Sequence, residues 1–453
     1  MQKTTKKNEH RVGARDRKIA ETILSQISAS PSAFHVIHGM EEKLQRAGFV
    51  RLAETDAWKL LPLGKKGTGR YYVTRNSSSL IAFVIPKRDF AGCRIAASHS
   101  DSPSFKLKEA PEKEDAGYIR LNVEGYGGML CAPWFDRPLA IAGRLLVRKG
   151  RGAGSGIEQH LVQTDRDLLM LPSLAIHMNR EANDGYKYNA QKDMLPVFGD
   201  AADTGRLMPI LAEAAGVRAK DILGSDLFLA VREAPVFWGA GEQFMSSPRL
   251  DDQECAWCSL EGFLAAENAE QMMVHCVFDN EEVGSRTKQG AASTFLPDVL
   301  KRIGDSLGRS AEQYHRSIAN SFMISADNAH AVHPAYPDKA DPVHHPRMNG
   351  GIVLKYSASQ KYTTDGVSAA FVRDLCEKNG IPVQTFVNRS DEAGGSTLGN
   401  IANAQVSMNT ADIGLAQLAM HSPYESAGVE DVRHLIRFLQ AFYCSGPFLT
   451  ADV

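Results

Sequence analysis

The stretch VHCVFDNEEVGS, residues 274–285, contains an apolar run that ends abruptly in four consecutive polar residues. The apolar part has the length and composition of a buried strand. The residues that follow it directly are Asp279, Asn280, Glu281 and Glu282. Because neighbouring carboxylates repel each other, a fold that holds them at the end of a buried strand needs a compensating positive charge. The stretch therefore predicts a bound cation at the end of this strand.

Other apolar segments also end in, or lie next to, side chains that can bind a metal. These are His99 and Asp101 in RIAASHSD, Asp251 and Asp252 in SSPRLDDQE, Asp327 and His330 in SFMISADNAH, and His421 after a helix-like segment in LAMHS. After residue 236 predicted helices alternate with short apolar strands, which is the pattern of an α/β fold. In an open α/β sheet, ligands bind beyond the carboxyl ends of the parallel strands. We therefore expect the strand ends at His99, Glu282 and Asp327 to converge.

This set of side chains favours a pair of divalent cations. Two such ions lie roughly 3.5–4 Å apart in aminopeptidases and phosphatases. One His, one Asp and one Glu would serve alongside a second His and an Asp that bridges the ions. Nitrogen and oxygen ligands without thiolate suit zinc, cobalt or manganese. Asp101 follows His99 by two residues and is expected to accept the second ring N–H of the imidazole.

Glu281 and Glu282 are expected to have different roles. Neighbouring residues that leave a strand point in opposite directions, so one glutamate can bind a metal ion while the other stays free beside a water held by the ions. The free carboxylate would be a general base, taking a proton as the water attacks and passing it to a leaving amine. The adjacency alone leaves open which glutamate has which role.

Composition excludes several classes of protein. The chain has 453 residues, of which 43% are hydrophobic and 23% charged, with a formal net charge of -2. This is the composition of an ordinary soluble globular protein and not of a strongly basic nucleic-acid binder. The basic N-terminus lacks the apolar segment of a secretory signal, and no apolar run is long enough to span a bilayer. We expect a cytoplasmic protein without nucleic-acid or membrane partners.

The seven cysteines are scattered, as expected in a reducing compartment. Cys255 and Cys258 in CAWC have the spacing of a redox motif, but their segment has helical periodicity, which favours buried thiols. The motif GRGAGSGIE at 150–158 lacks the lysine of a phosphate-binding loop and is predicted to be a hairpin tip.

The pattern of apolar and turn-forming residues changes twice along the chain. Residues 16–50 have helical periodicity, and RYYVTRNSSSLIAFVIPK predicts two strands joined by an Asn/Ser turn. Between residues 105 and 236, β-like segments are separated by glycine turns. The simplest division is an α/β catalytic domain formed by residues 1–104 and 237–453, interrupted by a β-rich insertion of residues 105–236.

Nine ordered motifs resemble those of the aspartyl aminopeptidase family of dinuclear-zinc metallopeptidases, over nearly the whole chain. They are ASHSDSP (97–103), YGGMLCAPWFDRPL (126–139), PSLAIHMNR (172–180), PRLDDQ (248–253), DNEEVGS (279–285), SADNAHAVHPAY (325–336), SQKYTTDG (359–366), GGSTLGNI (394–401) and LAMHSPYES (418–426). The resemblance implies an α/β/α sandwich, zinc-peptidase-like catalytic domain with an inserted β-rich dimerisation domain. It also implies a homo-oligomer in which dimers assemble into a tetrahedral dodecamer.

The resemblance further implies roles for individual residues. Two divalent metal ions per chain, zinc or else cobalt or manganese, would be bound by His99, Asp251, Glu282, Asp327 and His421. Asp251 would bridge the ions, and Glu281 would be the general base. The substrate site would include His177, Lys355 and Tyr362. The sequence itself adds His330, in AHAVHP, as a candidate for this pocket, with a capping or packing role as the alternative.

The implied reaction is removal of the N-terminal residue of peptides, preferably Asp or Glu. Such a preference needs a cation facing the side-chain carboxylate, because burying that charge unpaired is costly. Lys355 is implied for this role, with Lys361 and Arg389 as alternatives. AVREAP (230–235) and GGST (394–397) depart from the usual family sequence, which puts a strict acidic preference in question. A deacylase or amidohydrolase on the same scaffold, or a non-catalytic assembly protein, are the alternative functions.

Overall fold

The computed structural model describes residues 11–64, 67–150 and 156–447, and its fold is mixed α/β. The helices are α1 Ala14–Ser28, α2 Ala33–Arg46, α3 Ala190–Asp193, α4 Leu207–Ala214, α5 Leu250–Leu264, α6 Phe295–Ser306, α7 Ala311–Ala319, α8 Gly366–Lys378, α9 Leu398–Gln405 and α10 Val429–Cys444. Within the described residues, no helix is both long and apolar enough to cross a membrane.

The strands form three sheets. They are β1 Val50–Leu52, β2 Arg70–Arg75, β3 Ser79–Val84, β4 Cys93–His99, β5 Ser104–Asp115, β6 Tyr118–Tyr126, β7 Pro138–Lys149, β8 Gly156–Gln163, β9 Leu169–Met170, β10 Val197–Asp200, β11 Ile222–Val231, β12 Val236–Trp238, β13 Phe244–Ser247, β14 Met272–Phe278, β15 Phe322–Ala326, β16 Ala329–His330, β17 Ile352–Tyr356, β18 Val383–Val387, β19 Asn409–Gly414, β20 Ala416–Leu418 and β21 Glu425–Gly428.

The largest sheet has nine strands in the order β1-β2-β3-β14-β4-β15-β19-β17-β18. Its central strands β14, β4, β15 and β19 run parallel to one another. Phe278 at the end of β14 pairs with His99 at the end of β4, and Ala97 of β4 pairs with Ser325 of β15. The strand ends that were predicted to converge therefore lie side by side at one edge of the sheet.

Both faces of this sheet are apolar, because alternate residues of a strand point to opposite faces. In β4, Ala96 belongs to a core that includes residues of α1, α2, α5, α8 and α10, whereas Ile95 and Ala97 belong to a second core with residues of α6 and α9. Cys255 and Cys258 are free thiols buried in the first core, as predicted. The polar residues beyond the strand ends are thus attached to a sheet that is packed against an apolar core on each face.

The second sheet has seven strands in the order β11-β5-β6-β10-β9-β7-β8, and β11 also pairs with β7. All of these strands lie between Ser104 and Val231, where the sequence has its β-rich texture. Lys149 of β7 pairs with Gly156 of β8 in an antiparallel register, as a hairpin requires. The tip itself, residues 151–155, lies outside the described residues.

The third sheet has five strands in the order β12-β13-β21-β20-β16. The apolar segment before His421 forms β20, which pairs with β16 and β21, so the helix-like pattern predicted for this segment is wrong. Pairing with two neighbouring strands outweighs a weak local preference for helix. This sheet brings Glu425, at the start of β21, into hydrogen-bonding contact with Asp251 and His421. It also brings His330, at the end of β16, to the cavity beside them.

Candidate metal centre

Imidazole and carboxylate groups from distant parts of the chain meet beyond the ends of β4, β14 and β15. One group of potential ligand atoms lies within 4.8 Å of one another and comes from His99, Asp251, Asp252 and Asp327. Two further groups of the same kind are formed by His99, Glu281 and Glu282 and by Asp251, Glu282 and His421. The structure therefore brings together all five residues for which metal binding was predicted.

Asp251 lies between the two histidines. Its Oδ1 is 3.7 Å from Nε2 of His99, and its Oδ2 is 3.3 Å from Nε2 of His421. His99 Nε2 is also 3.8 Å from Oδ1 of Asp327, whereas His421 Nε2 is 3.5 Å from Oε2 of Glu282. Asp251 is thus shared between a His99–Asp327 pair and a His421–Glu282 pair.

Several carboxylate oxygens of this cluster are buried without a hydrogen-bond partner. They are Asp251 Oδ1, Asp252 Oδ1 and Glu282 Oε1. A buried charge without a partner is strongly unfavourable, and such groups in proteins are paired or coordinate metals. Nitrogen and oxygen donors without thiolate are suited to zinc, cobalt or manganese. The residues that surround this space therefore fit divalent metal ions.

The electrostatics of the site also favour the binding of cations. Burial raises the pKa of Glu281 to about 8, and the charge of Asp327 adds to this effect. Burial and the charge of Asp251 raise the pKa of Glu282 well above its ordinary value. Cations placed among these groups would favour the ionised carboxylates and so reverse both shifts.

Asp101 organises the strand ends through three hydrogen bonds. Its carboxylate accepts the backbone N–H groups of Glu281 and Glu282, each at 3.2 Å, and the hydroxyl of Tyr126 at 2.8 Å. The Nδ1 atom of His99 forms its hydrogen bond with the carbonyl oxygen of Asp101 at 3.0 Å, while the carboxylate Oδ1 is 3.4 Å away. The predicted partner was the carboxylate. Instead the carboxylate satisfies the peptide N–H groups that β14 leaves unpaired where it ends.

The hydrogen bond to Nδ1 leaves Nε2 of His99 directed at Asp251 and Asp327. An N–H at Nδ1 that is held by a carbonyl oxygen fixes the tautomer in which Nε2 carries the lone pair. The orientation predicted for this imidazole is therefore present, with the backbone of Asp101 as its main support.

Glu425 joins the two halves of the cluster, although the sequence analysis did not single it out. Its Oε2 accepts the backbone N–H of Asp251 at 2.9 Å, and its Oε1 accepts the backbone N–H of His421 at 2.7 Å. The side chain is fully enclosed, since only 1% of the residue is exposed. Glu425 is part of the motif LAMHSPYES, but its spacing from His421 carries no signal specific enough to have shown this role.

A cavity of about 170 Å³ adjoins the cluster. Besides the five clustered residues and Glu281, its lining includes a set that we name the substrate wall, formed by His330, Lys355, Tyr362, Gly395, Ser396 and Thr397. Burial lowers the pKa of His330, which favours its neutral form. Three of the four residues predicted for substrate binding therefore line the same cavity as the five side chains predicted to bind metal.

Lys355 is the buried cation of the substrate wall. Its Nζ donates hydrogen bonds to the carbonyl oxygens of Asp327 at 2.7 Å and Asn328 at 3.1 Å, and it lies 3.6 Å from Oδ2 of Asp327. The ammonium group is 5.2 Å from the centre of the Tyr362 ring. Although burial lowers its pKa, the surrounding negative groups, led by Asp327, together outweigh this effect and raise the pKa. The ammonium group is therefore charged in the cavity.

The other residues considered for the substrate site lie elsewhere. His177 is exposed in the segment between β9 and α3 and does not line this cavity within the described residues. Lys361 donates to the carbonyl oxygen of Gly394. Arg389 is half-buried and forms an ion pair with Asp391, beside a neighbouring cavity of about 410 Å³. Among the three cations considered for an acidic side chain, the structure places Lys355 at the metal cluster.

Similarity to known proteins shows the family of this chain. A sequence model of the M18 peptidase family, described as aminopeptidase I zinc metalloprotease, matches residues 26–443. The chain belongs to the M18 family of aminopeptidases. It is 43% identical over 431 residues to a probable M18 family aminopeptidase 2 of Clostridium acetobutylicum, and the match covers 94% of this chain and 98% of that protein.

Two solved structures of M18 relatives show the same fold. A chain in the cryo-EM structure of the Ape4 and Nbr1 complex matches with a TM-score of 0.90 and 34% identity, covering 96% of this chain and 87% of that chain. A chain of the S. cerevisiae mApe1 dodecamer matches with a TM-score of 0.82 and 29% identity, covering 95% and 97%. This M18 chain is therefore a metalloaminopeptidase, as predicted, and the deacylase and the non-catalytic alternatives are disfavoured.

Proposed function

We propose that this M18 aminopeptidase removes the N-terminal residue of peptides with two divalent metal ions bound by five side chains. His99 and Asp327 would bind one ion, Glu282 and His421 would bind the other, and Asp251 would be shared. The position of Asp251 between the two histidines is the observation that carries this proposal. The family description favours zinc, and the donor atoms also suit cobalt or manganese.

Such ions, when bound, polarise a peptide carbonyl and lower the pKa of water. Glu281 is the residue that moves the proton. It lines the cavity beside the ligands, and its backbone N–H is held by Asp101. A carboxylate in this position takes a proton from the attacking water and delivers it to the leaving amine. Glu282, whose N–H is held by the same carboxylate, keeps its side chain for metal binding.

The substrate wall supports a preference for Asp or Glu as the N-terminal residue. An ammonium group has three donors, and Lys355 uses two of them for the carbonyl oxygens of Asp327 and Asn328. The third would turn to a carboxylate on the substrate, in competition with the ion pair between Lys355 Nζ and Oδ2 of Asp327 at 3.6 Å. His330 and Tyr362 would enclose that side chain. His177 would take part only if a second subunit brings it to the cavity, since it is exposed in a single chain.

We extend the proposal to domain organisation and assembly. Residues 1–104 and 237–453 would form an α/β/α sandwich, and residues 105–236 an inserted dimerisation domain. The restriction of the seven-stranded sheet to Ser104–Val231 supports this division. The mApe1 relative is a dodecamer, which supports a homo-oligomer built from dimers. Location in the cytoplasm, with no nucleic-acid or membrane partner, is proposed from composition alone.

The decisive experiment is a panel of aminoacyl chromogenic substrates with Asp, Glu, Leu or Lys, each assayed with zinc, cobalt or manganese. Activity should disappear with a chelator and return with metal. Turnover of Asp and Glu substrates should exceed that of Leu, and Lys355→Met should lower this ratio by about 10–100-fold, the value of one hydrogen bond to a charged group. Equal turnover of all four substrates would refute the acidic preference but not the peptidase activity.

The same panel separates an aminopeptidase from a deacylase. Acetylation of the substrate's amino group should abolish turnover by an aminopeptidase, whereas a deacylase requires the acyl group. Metal content by elemental analysis tests the dinuclear proposal independently of activity. Binding of one ion per chain at full activity would contradict the shared role of Asp251.

A further inference from the structure

Asp412 holds two separate loops of the substrate wall in place. It lies in β19, inside the nine-stranded sheet, and is fully buried. Its Oδ2 accepts the backbone N–H of Thr363 at 2.6 Å and the hydroxyl of Thr363 at 2.5 Å. Its Oδ1 accepts the hydroxyl of Thr397 at 2.5 Å. One carboxylate thus joins the loop that contains Tyr362 to the loop that contains Gly395 and Ser396.

The backbone of Asp412 adds a further connection to the first loop. Its N–H donates to the hydroxyl of Thr364 at 2.9 Å. The hydroxyl of Thr364 also lies within 3.5 Å of the carbonyl oxygen of Asp412. Four hydrogen bonds therefore fasten residues 363 and 364 to one position in the sheet. Tyr362 directly precedes this anchored pair, so the position of its ring in the cavity depends on the anchor.

The hydroxyl of Thr397 donates to Asp412 and does not cap the helix that follows it. Thr397 is the N-cap residue of α9, a position at which a threonine side chain ordinarily accepts a backbone N–H of the first helical turn. No such hydrogen bond is formed here, and the hydroxyl instead donates to Asp412. The first turn of α9 therefore lacks a cap from Thr397. In its place, the hydrogen bond between Thr397 and Asp412 holds this part of the substrate wall.

Gly399 packs closely against Asp412. A Cβ atom added to Gly399, in the first turn of α9, would lie 2.7 Å from Oδ1 of Asp412 and 2.7 Å from Cβ of Ser325. Real Cβ atoms essentially never approach other atoms so closely, so a side chain at 399 would force Asp412, Ser325 or the start of α9 to shift. Glycine at 399 therefore helps α9 to hold Thr397 against Asp412.

Asp412 is also the neighbour of Lys355 across the sheet. The two residues are direct partners in the antiparallel register of β17 and β19, and such pairs have adjacent side chains. Asp412 is one of the charges that keep the Lys355 ammonium protonated. The same carboxylate is therefore in contact with both loops and adjacent to the cation between them.

We propose that Asp412 is a positioning residue that sets the shape of the substrate wall around Lys355, and through it the binding of the substrate's N-terminal residue. The proposal rests on the proposed function for the identification of this wall as the substrate side of the cavity. Asp412 contacts none of the five side chains proposed to bind metal through its hydrogen bonds. Its effect is expected on substrate affinity and not on metal binding or proton transfer.

The test is Asp412→Asn in the metal-loaded enzyme, assayed with the best substrate of the panel. The amide retains one acceptor oxygen, so at least one of the two loops loses its hydrogen bond to a charged group, which is worth about 10–100-fold. KM should rise by this factor, while kcat changes less than about threefold and metal content stays that of the unmodified enzyme. The variants Thr363→Val and Thr397→Val each remove one hydroxyl that donates to Asp412. Each should raise KM by a smaller factor.

Two controls separate positioning from a general loss of stability. Asp431→Asn changes another buried carboxylate, which accepts backbone N–H groups of Asn349 and Gly351 away from the cavity, and should leave KM unchanged. Gly399→Ala, which leaves every hydrogen-bonding group in place, should reproduce the rise in KM. Hydrogen exchange should show faster exchange in residues 357–365 and 388–397 of Asp412→Asn.

An unchanged KM in Asp412→Asn, or a fall in kcat at constant KM, would overturn the proposal. So would loss of metal from this variant. If Asp412→Asn does not fold, the threonine variants decide the question, because each removes a single contact. A wild-type enzyme without acidic preference would refute the role of Lys355, yet the effect of Asp412 on KM would still be measurable with whichever substrate is best.

Discussion

Replacement of Asp101 by Asn tests whether the hydrogen bonds behind the metal cluster control it. Oδ1 of Asp101 accepts the N–H of Glu281, and Oδ2 accepts the N–H of Glu282 and the hydroxyl of Tyr126. Asparagine has one acceptor oxygen. In either orientation, at least one peptide N–H would face an amide NH₂ group instead of an oxygen.

The expected magnitude follows from the loss of one hydrogen bond to a charged group. Such a bond contributes about 1.5–3 kcal/mol, which corresponds to about 10–150-fold in an equilibrium or rate constant. Removal of a partner that orients metal ligands ordinarily lowers metal affinity or activity by about 10–100-fold. We therefore expect Asp101→Asn to lower metal affinity or kcat/KM by about one to two powers of ten.

The assay is metal titration of the chelator-treated protein, followed by kcat/KM of the reloaded enzyme. Asp431→Asn is a matched control, because Asp431 is equally buried and also accepts two backbone N–H groups, but at Asn349 and Gly351. It should cost stability and leave metal affinity intact. If the two variants have the same metal affinity and the same kcat/KM, the carboxylate of Asp101 only stabilises the fold and the reasoning is refuted.

Three further outcomes are expected. Glu281→Gln should retain the metal ions and lose about 10²–10⁴-fold in kcat, the contribution of a general base; full activity would assign the proton transfer to another group. Chelation should abolish activity, and zinc, cobalt or manganese should restore it, whereas activity in metal-free protein would contradict a metallopeptidase. In the metal-free protein, burial raises the pKa values of Glu281 and Glu425 to about 8 from an ordinary 4.5. The folded state then binds more protons than the unfolded state between these values, so the unfolding temperature should fall as pH rises from about 5 to 8. A rise over this range would show that these carboxylates are ionised without metal.

The sequence predicted those parts of the site that depend on local pattern. The apolar runs before His99, Glu282 and Asp327 indicate strands, and the rule that ligands collect beyond parallel strand ends brings the three residues together. Asp251 follows β13 of the five-stranded sheet and not one of the central parallel strands, and it lies in the first turn of α5. Its shared position between the histidines is visible only in the folded chain.

Hydrogen bonds between side chains and backbone N–H groups could not be predicted from the sequence. Glu425 and the carboxylate of Asp101 act on peptide N–H groups, and any acidic side chain in a motif could do the same. His421 shows a different limit. Its preceding segment has a helical pattern, but strand pairing on both sides of β20 determines the conformation.

The metal cluster draws on residues as far apart as His99 and His421, and β19, at residues 409–414, is an interior strand of the sheet that carries it. Contacts of such large sequence separation form late, because the intervening chain must first be ordered. With His421 as a ligand, as proposed above, the catalytic centre would be complete only after the segment around residue 421 has been synthesised. Activity would then begin only when nearly the whole chain has emerged from the ribosome.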